Sequence, residues 1–446
     1  MSANKTGTTE LPGQTLAEFK QNIPIPAYLM ALVVGKIEWR EIGPRSRVWA
    51  EPTMVDKAAM EFNQTEKMLQ IAESICGPYL WGNYDILVLP PSFPFGGMEN
   101  PTLTYITPTA IAGDGTGLNV IAHEIAHSWT GNLVTHFNFE HFWIKEAFTV
   151  FLERKIMGRI YGEPMRQFLA EGGWKDLKDS IEQYGEKNPL TKLHLDLTGL
   201  DPTDSFSKVP YEKGSTVIWY WDELYEDSEL FDKFIRYFLS KWKFQSITLH
   251  NLFETILEFT RKEAPLDVYT KLLNMNTTAW FEEPGLPPYK PEFDSSLSEA
   301  CVLLAEEWIN YDSGNNSVCE LTPDNLVPLI PLQKIEFLSL LLQGHPIQEK
   351  TISCMDTIYN FSDSGSFHIK FRWLKLGIRS RYKPIVEQVF RFTESQGRIY
   401  FNQQLFRDMY DWKEQRVETI ETYHRIKNRW MFITRYLVGR ELKLFC

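Results

Sequence analysis

The stretch Val120-Ile121-Ala122-His123-Glu124-Ile125-Ala126-His127-Ser128-Trp129 decides how this chain is read. His123 and His127 are four residues apart, so a helix brings their imidazoles to one face, one turn from each other. Ile121 and Ile125 fall on nearly the opposite side, where a core takes them. Gly131-Asn132 then offers a helix stop. H-E-x-x-H on a helix suits a zinc ion held by two neutral imidazoles, with Glu124 beside the metal as a base for its bound water.

A catalytic zinc needs three protein ligands and one open position. The metzincin continuation requires a glycine at position 130 and a histidine at 133. The chain has Thr130 and Leu133, which excludes that class. His136 and His141 fall in a loop. Glu146 opens the next helical segment, in Trp143-Ile144-Lys145-Glu146-Ala147, with 18 residues between it and His127. That interval accommodates a helix end, a loop and an antiparallel return. Glu153 lies two turns further on a similar face and is the competing ligand. Spacing favours Glu146.

Around this helix the chain is ordinary for a globular protein. Of its 446 residues 43% are hydrophobic and 23% charged. The length predicts two or three domains. A net charge of −12 argues against nucleic acid as a main partner. Cys76, Cys301, Cys319, Cys354 and Cys446 are odd in number and widely spaced, which fits a reducing compartment better than a disulfide framework. Met1 to Gln14 lacks the pattern of a signal peptide. No apolar run reaches the ~18 residues of a membrane span. These features together predict a cytoplasmic protein without a membrane partner and leave its oligomeric state open.

Residues 1–22 read as a flexible lead. The apolar run Tyr28 to Gly35 reads as a buried strand, and Ile37–Ile42 and Arg47–Ala50 as two more. Three strands alone make a poor domain, so residues 1–50 are expected to be a lead and the last strands of an N-terminal β-domain. A helix is predicted over Asp56–Cys76 and strands over Tyr84–Leu89 and Leu103–Ile106. Residues 51–283 then form the metal-bearing unit, with helices at Met165–Tyr184, Tyr211–Glu226, Leu230–Trp242 and Leu249–Arg261. Residues 284–296 open with Pro284-Gly285-Leu286-Pro287-Pro288 and read as a linker. From 297 to 446 amphipathic helices follow one another, which predicts an α-helical superhelix or bundle.

H-E-x-x-H followed by glutamate after 18 residues resembles the gluzincin metallopeptidases. Upstream, Gly96-Gly97-Met98-Glu99-Asn100 is similar to the G-x-M-E-N motif of the zinc aminopeptidases of peptidase family M1. Further similar stretches are Pro90–Pro94, His127–Val134, Val209–Gly214 and Pro284–Pro288, and the resemblance runs from about residue 20 to the C-terminus. It implies an α+β, mostly α fold: a thermolysin-like catalytic domain and then a helical superhelix. It also implies one zinc per chain, held by His123, His127 and Glu146, and removal of N-terminal residues from short peptides. Glu124 becomes the general base. Glu99 receives the substrate's α-ammonium, with Gly96, Gly97 and Met98 along the extended peptide. Tyr211 stabilises the developing oxyanion, and Arg398 receives a substrate carboxylate.

Four departures from the family pattern bear on function. Only the last strands of its N-terminal β-domain are expected here, which makes a truncated, weakly active relative working as a binding protein one alternative. Some family members also hydrolyse a lipid epoxide. Thr203 stands where these carry an aspartate and Phe206 where they carry a tyrosine, so this second alternative is disfavoured. Tyr400 replaces a lysine that helps bind the substrate carboxylate. Lys145 and Ala147 flank Glu146 where asparagine and glycine are usual. Helix neighbours point about 100° apart, so Lys145 is expected to leave the site intact.

Overall fold

The computed structural model describes residues 1–314 and 321–445; Cys319 and Cys446 lie outside the described residues. Residues 1–22, read as a flexible lead, contain instead a hairpin of β1 (Asn4–Leu11) and β2 (Gln14–Lys20). Its side chains are mostly exposed, so no alternation of apolar and polar residues announces it. The run Tyr28–Gly35 is not a buried strand. Ala27–Leu29 is a single 3-10 turn, and Met30, Leu32 and Val34 are 67%, 65% and 88% exposed. An apolar run becomes a strand when neighbours take up its N–H and C=O groups, and no described strand pairs with this one.

The main sheet has the order β3-β4-β5-β7-β6, formed by β3 (Glu38–Gly43), β4 (Ser46–Ala50), β5 (Asp85–Val88), β6 (Gly97–Met98) and β7 (Leu103–Ile106). β4, β5 and β7 run parallel, while β6 pairs antiparallel with β7 through Gly97↔Ile106 and Met98↔Tyr105. β6 is thus an edge strand, with one side unpaired. Two helices, α1 (Val55–Glu61) and α2 (Thr65–Cys76), cross between β4 and β5. The sequence pattern predicts one helix there; the chain breaks at Phe62, whose ring is fully buried.

Beneath the sheet lies α3 (Leu118–His127), packed on α4 (Phe142–Tyr161). A short strand β8 (Val134–His136) pairs with β9 (Gln245–Ile247). Around them are α5 (Glu163–Tyr184), α6 (Val209–Tyr225), α7 (Ser228–Trp242), α8 (Leu249–Glu263) and α9 (Leu266–Leu273). α4 is buried from Trp143 to Met157, so it has no polar face. Its charges are paired inside: Arg154 donates to Glu212 at 2.6 Å and Lys155 to Asp232. Gly214 lets α6 lie close on α4, since a Cβ there would come within 2.8 Å of the Ala147 Cβ.

From residue 299 the structure is helical: α10 (Glu299–Asp312), α11 (Pro331–Gln343), α12 (Glu349–Tyr359), α13 (Phe367–Arg379), α14 (Ile385–Ser395), α15 (Ile399–Asp411), α16 (Arg416–Ile426) and α17 (Phe432–Glu441). α11, α13, α15 and α17 pack each on the next, so alternate helices form one row of a superhelix. Its core includes Trp308, Phe337, Trp373, Phe401 and Leu405. The fold is α+β and mostly α. Among the described residues no helix is long and apolar enough to cross a membrane.

Lys213 on α6 fastens the segment leading into this superhelix. Its buried ammonium donates to the carbonyls of Thr191, Glu283 and Gly285 at 3.0, 2.9 and 2.8 Å. Lys213→Met would leave these acceptors without donors and is expected to lower stability by about 2–4 kcal/mol. Denaturant unfolding followed by tryptophan fluorescence measures this; an unchanged midpoint would refute it.

Candidate metal and peptide site

The i, i+4 spacing on α3 places the His123 and His127 rings 4.7 Å apart, edge to face. One stripe of α4, residues 146, 149 and 153, faces them. The Nε2 atoms of both histidines lie 3.5 Å from Glu146 Oε2. Thr149 Oγ1 is 3.0 Å from His127 Nδ1, which also lies 2.8 Å from the Thr130 carbonyl. Glu153 Oε2 is 2.9 Å from His123 Nδ1. Each histidine is therefore oriented through Nδ1, leaving Nε2 directed at the common centre. Glu153, the competing ligand by spacing, instead holds His123. Thr149 escaped the sequence reading, although it stands one turn beyond Glu146 on the same face.

His123, His127 and Glu146 offer ligand atoms within 4.8 Å of one another. Glu146 Oε2 and Glu124 Oε2 are buried and find no hydrogen-bond donor. Two bare imidazole nitrogens converging on an orphaned carboxylate oxygen form a donor set suited to zinc. Burial favours the neutral form of Glu146, but His127 and Lys145 outweigh it and hold the carboxyl well below its ordinary range. Burial raises Glu124 to about 7, against the pull of His123 and His127.

Gly97 brings the edge strand onto Glu124. A Cβ at Gly97 would come within 2.2 Å of Glu124 Oε1, so a side chain there would displace the Glu124 carboxylate. Asn132 donates from Nδ2 to the Glu99 carbonyl at 2.7 Å and fixes the loop after β6. The Glu99 carboxylate belongs to the same centre: Glu99, Glu124 and His127 also offer ligand atoms within 4.8 Å of one another. Tyr211, in the first turn of α6, places its ring 6.2 Å from that of His123. Burial, with Glu146, Glu99 and Glu124 nearby, pushes its hydroxyl well above the ordinary range, so it remains a phenol able to donate.

Arg398 reaches the other end of this cleft from the helical superhelix. Its Nη1 is 3.3 Å from both Thr109 Oγ1 and His368 Nε2. Gly96 makes room, since a Cβ there would lie 3.0 Å from Arg398 Nη2. Among the described residues no carboxylate forms an ion pair with Arg398. Lys208, at the start of α6, was missed by the sequence reading. Its Nζ lies 5.6 Å from the centre of the Tyr400 ring, and the Arg398 guanidinium lies 5.7 Å from the same ring. Thr203 is exposed beside Asp201, and Asp204 is paired with Arg440 at 2.6 Å.

Lys145 does not leave the site alone, as helix geometry suggested it would. Its long stem carries the ammonium back to 2.6 Å from Glu99 Oε1 and 3.4 Å from Glu146 Oε1. Burial works to raise the Glu99 carboxyl, and Lys145 with His127 overcomes it, bringing Glu99 down to about 2.

Comparison with known proteins identifies the family. Residues 60–276 match the peptidase family M1 domain, and residues 329–442 match the leukotriene A4 hydrolase C-terminal domain. The chain is 41% identical to a leukotriene A-4 hydrolase of Xenopus laevis over 428 residues, covering 96% of this chain and 69% of that protein. It is 39% identical to leucine aminopeptidase 2 of Coccidioides immitis over 432 residues, covering 96% of this chain and 68% of that one. A yeast LTA4 hydrolase solved in complex with bestatin superposes with a TM-score of 0.91 at 32% identity, covering 99% of this chain and 72% of that one. The matched family model and these relatives define the class, a metallopeptidase. The chain belongs to peptidase family M1 and is a zinc metallo-aminopeptidase, with the helical C-terminal domain of the leukotriene A4 hydrolase branch.

Glu153→Gln keeps the size of the side chain that holds His123 but removes its charge. It is expected to weaken zinc binding about 10–100-fold. Competition with a fluorescent chelator measures this, and unchanged affinity would show that Glu153 does not support the ligand.

Proposed function

We propose that this chain removes N-terminal residues from short peptides, using one zinc held by His123, His127 and Glu146. The observation that carries this reading is the convergence of Glu124, Glu99 and His127 directly beneath the backbone of edge strand β6. A peptide lying along Gly96, Gly97 and Met98 can pair with the free side of that strand. Its scissile carbonyl then comes over Glu124, and its first residue over Glu99.

Bound zinc supplies a Lewis acid that polarises the scissile carbonyl and acidifies water. Glu124 takes the proton from the attacking water at a carboxylate oxygen and returns it to the leaving amine. Its pKa, raised by burial, suits a group that must both accept and release a proton near neutrality. Tyr211 donates from its phenol to the oxygen that gains negative charge. The ion pair of Glu212 with Arg154 anchors the first turn of α6 and thereby positions that phenol. Arg398 receives the carboxylate of a short peptide, and Lys208 contributes a second cation there in place of the lysine that Tyr400 displaces. Lipid-epoxide hydrolysis is the less favoured reading, because Thr203 brings no charge and Asp204 is engaged by Arg440.

The test is hydrolysis of aminoacyl-arylamides by the zinc-loaded chain. Glu124→Gln is expected to lower kcat by about 10²–10⁴-fold with zinc content unchanged. Tyr211→Phe is expected to lower it by about 10²–10³-fold. Chelation should abolish activity and zinc should restore it. A folded, zinc-loaded preparation that cleaves no aminoacyl-arylamide would overturn the reading.

A further inference from the structure

The Lys145 ammonium is held in a chamber built for a cation. Glu99 Oε1 lies 2.6 Å away and Glu146 Oε1 3.4 Å away. The ring centres of Phe142 and Tyr28 lie at 5.1 and 5.4 Å. Two carboxylates and two aromatic rings are the groups that recognise an ammonium ion. Lys145 is 7% exposed and Glu99 6%, so water does not screen the pair. The stem is threaded as well: Lys145 Cδ lies 3.4 Å from where a Cβ on Gly131 would stand. Gly131 has φ 130°, a conformation that other residues rarely adopt.

We infer that Lys145 is a specificity-determining residue: its ammonium occupies the place where a peptide's α-ammonium would pair with Glu99, so the site gains little from a free N-terminus. This rests on the assignment of Glu99 as the amine acceptor. A second ammonium entering the chamber meets a fixed like charge at close range in a site shielded from water. A peptide whose first nitrogen is acylated meets no such repulsion. It can accept a hydrogen bond from Lys145 through its acyl oxygen. The preference for free over blocked N-termini, which an aminopeptidase derives from a bare carboxylate, is lost here. Lys145→Asn removes the charge and frees Glu99, and restores that preference.

The experiment compares leucine hydroxamate with N-acetyl-leucine hydroxamate by calorimetry on the zinc-loaded full chain. The parent protein is expected to bind the two within about threefold. Lys145→Asn is expected to favour the free amine by about tenfold or more. Lys145→Arg, which keeps the charge, should retain the parent behaviour. With leucyl-arylamide, Lys145→Asn should act mainly by lowering KM, with kcat changed less. Zinc content and thermal unfolding establish that each variant is folded.

A parent protein that already favours the free amine by more than tenfold overturns the inference, whatever the variants do. So does a folded Lys145→Asn with unchanged preference. If the hydroxamate preference shifts as stated but no form cleaves an arylamide, the catalytic reading falls and the role of Lys145 stands. If the parent cleaves leucyl-arylamide and the preference does not shift, the reverse holds.

Discussion

Three carboxylates, Glu99, Glu124 and Glu146, converge on one buried centre, with Glu153 behind His123, and their charge is the constraint to which the surrounding structure answers. Each ionised carboxylate taken out of water costs several kcal/mol unless opposite charge and hydrogen bonds replace its solvation. His123 and His127 answer part of this and Lys145 another part, and the converging donor atoms form a set that a divalent cation would complete. The answer is graded. Glu146 and Glu99 are held in the charged form by the cations beside them, while Glu124 has no direct cationic partner and is left near neutrality. Glu124, the proposed general base, is thus the carboxylate that compensation leaves out.

This constraint also explains which features the sequence exposes. His123 and His127 are legible because a helix turns a spacing of four into a shared face. Glu146 and Glu153 were harder to separate because spacing of seven returns nearly to the same face. The packing of α4 on α3 separates them, bringing Glu146 to both Nε2 atoms and Glu153 to one Nδ1. Lys145 misled for a physical reason. The 100° between helix neighbours describes Cβ directions, whereas four methylenes let an ammonium travel back around the helix. Periodicity sees the first and not the second.

The same division runs through the fold. Strands β3, β4, β5 and β7 and the helices of the superhelix were readable, since each presents an apolar face at its own period. The hairpin β1–β2 was not, because it buries almost nothing. The run from Tyr28 was misread because apolar content alone cannot say whether a partner strand exists. Helix α4 was recognised in spite of its pattern: it is surrounded on all sides, so its charges pair inward with Glu212 and Asp232 instead of marking a solvent face.

At the far end of the cleft the cations come from two elements. Position 400 lies on α15 and carries tyrosine where the family pattern has lysine; position 208 begins α6 and carries lysine. Lys208 and Arg398 lie at nearly equal distance from the centre of the Tyr400 ring, and Lys208 also lies 3.8 Å from Asp176 Oδ2. His368 remains neutral there because burial and the cations Arg398, Arg372 and Lys208 oppose its protonation, which leaves its Nε2 free to accept from Arg398. A carboxylate entering this end meets cations from both sides of the cleft, one fixed to the helix that carries Tyr211. Under the proposed function, a substrate carboxylate held there would be coupled to the placement of the Tyr211 phenol through α6.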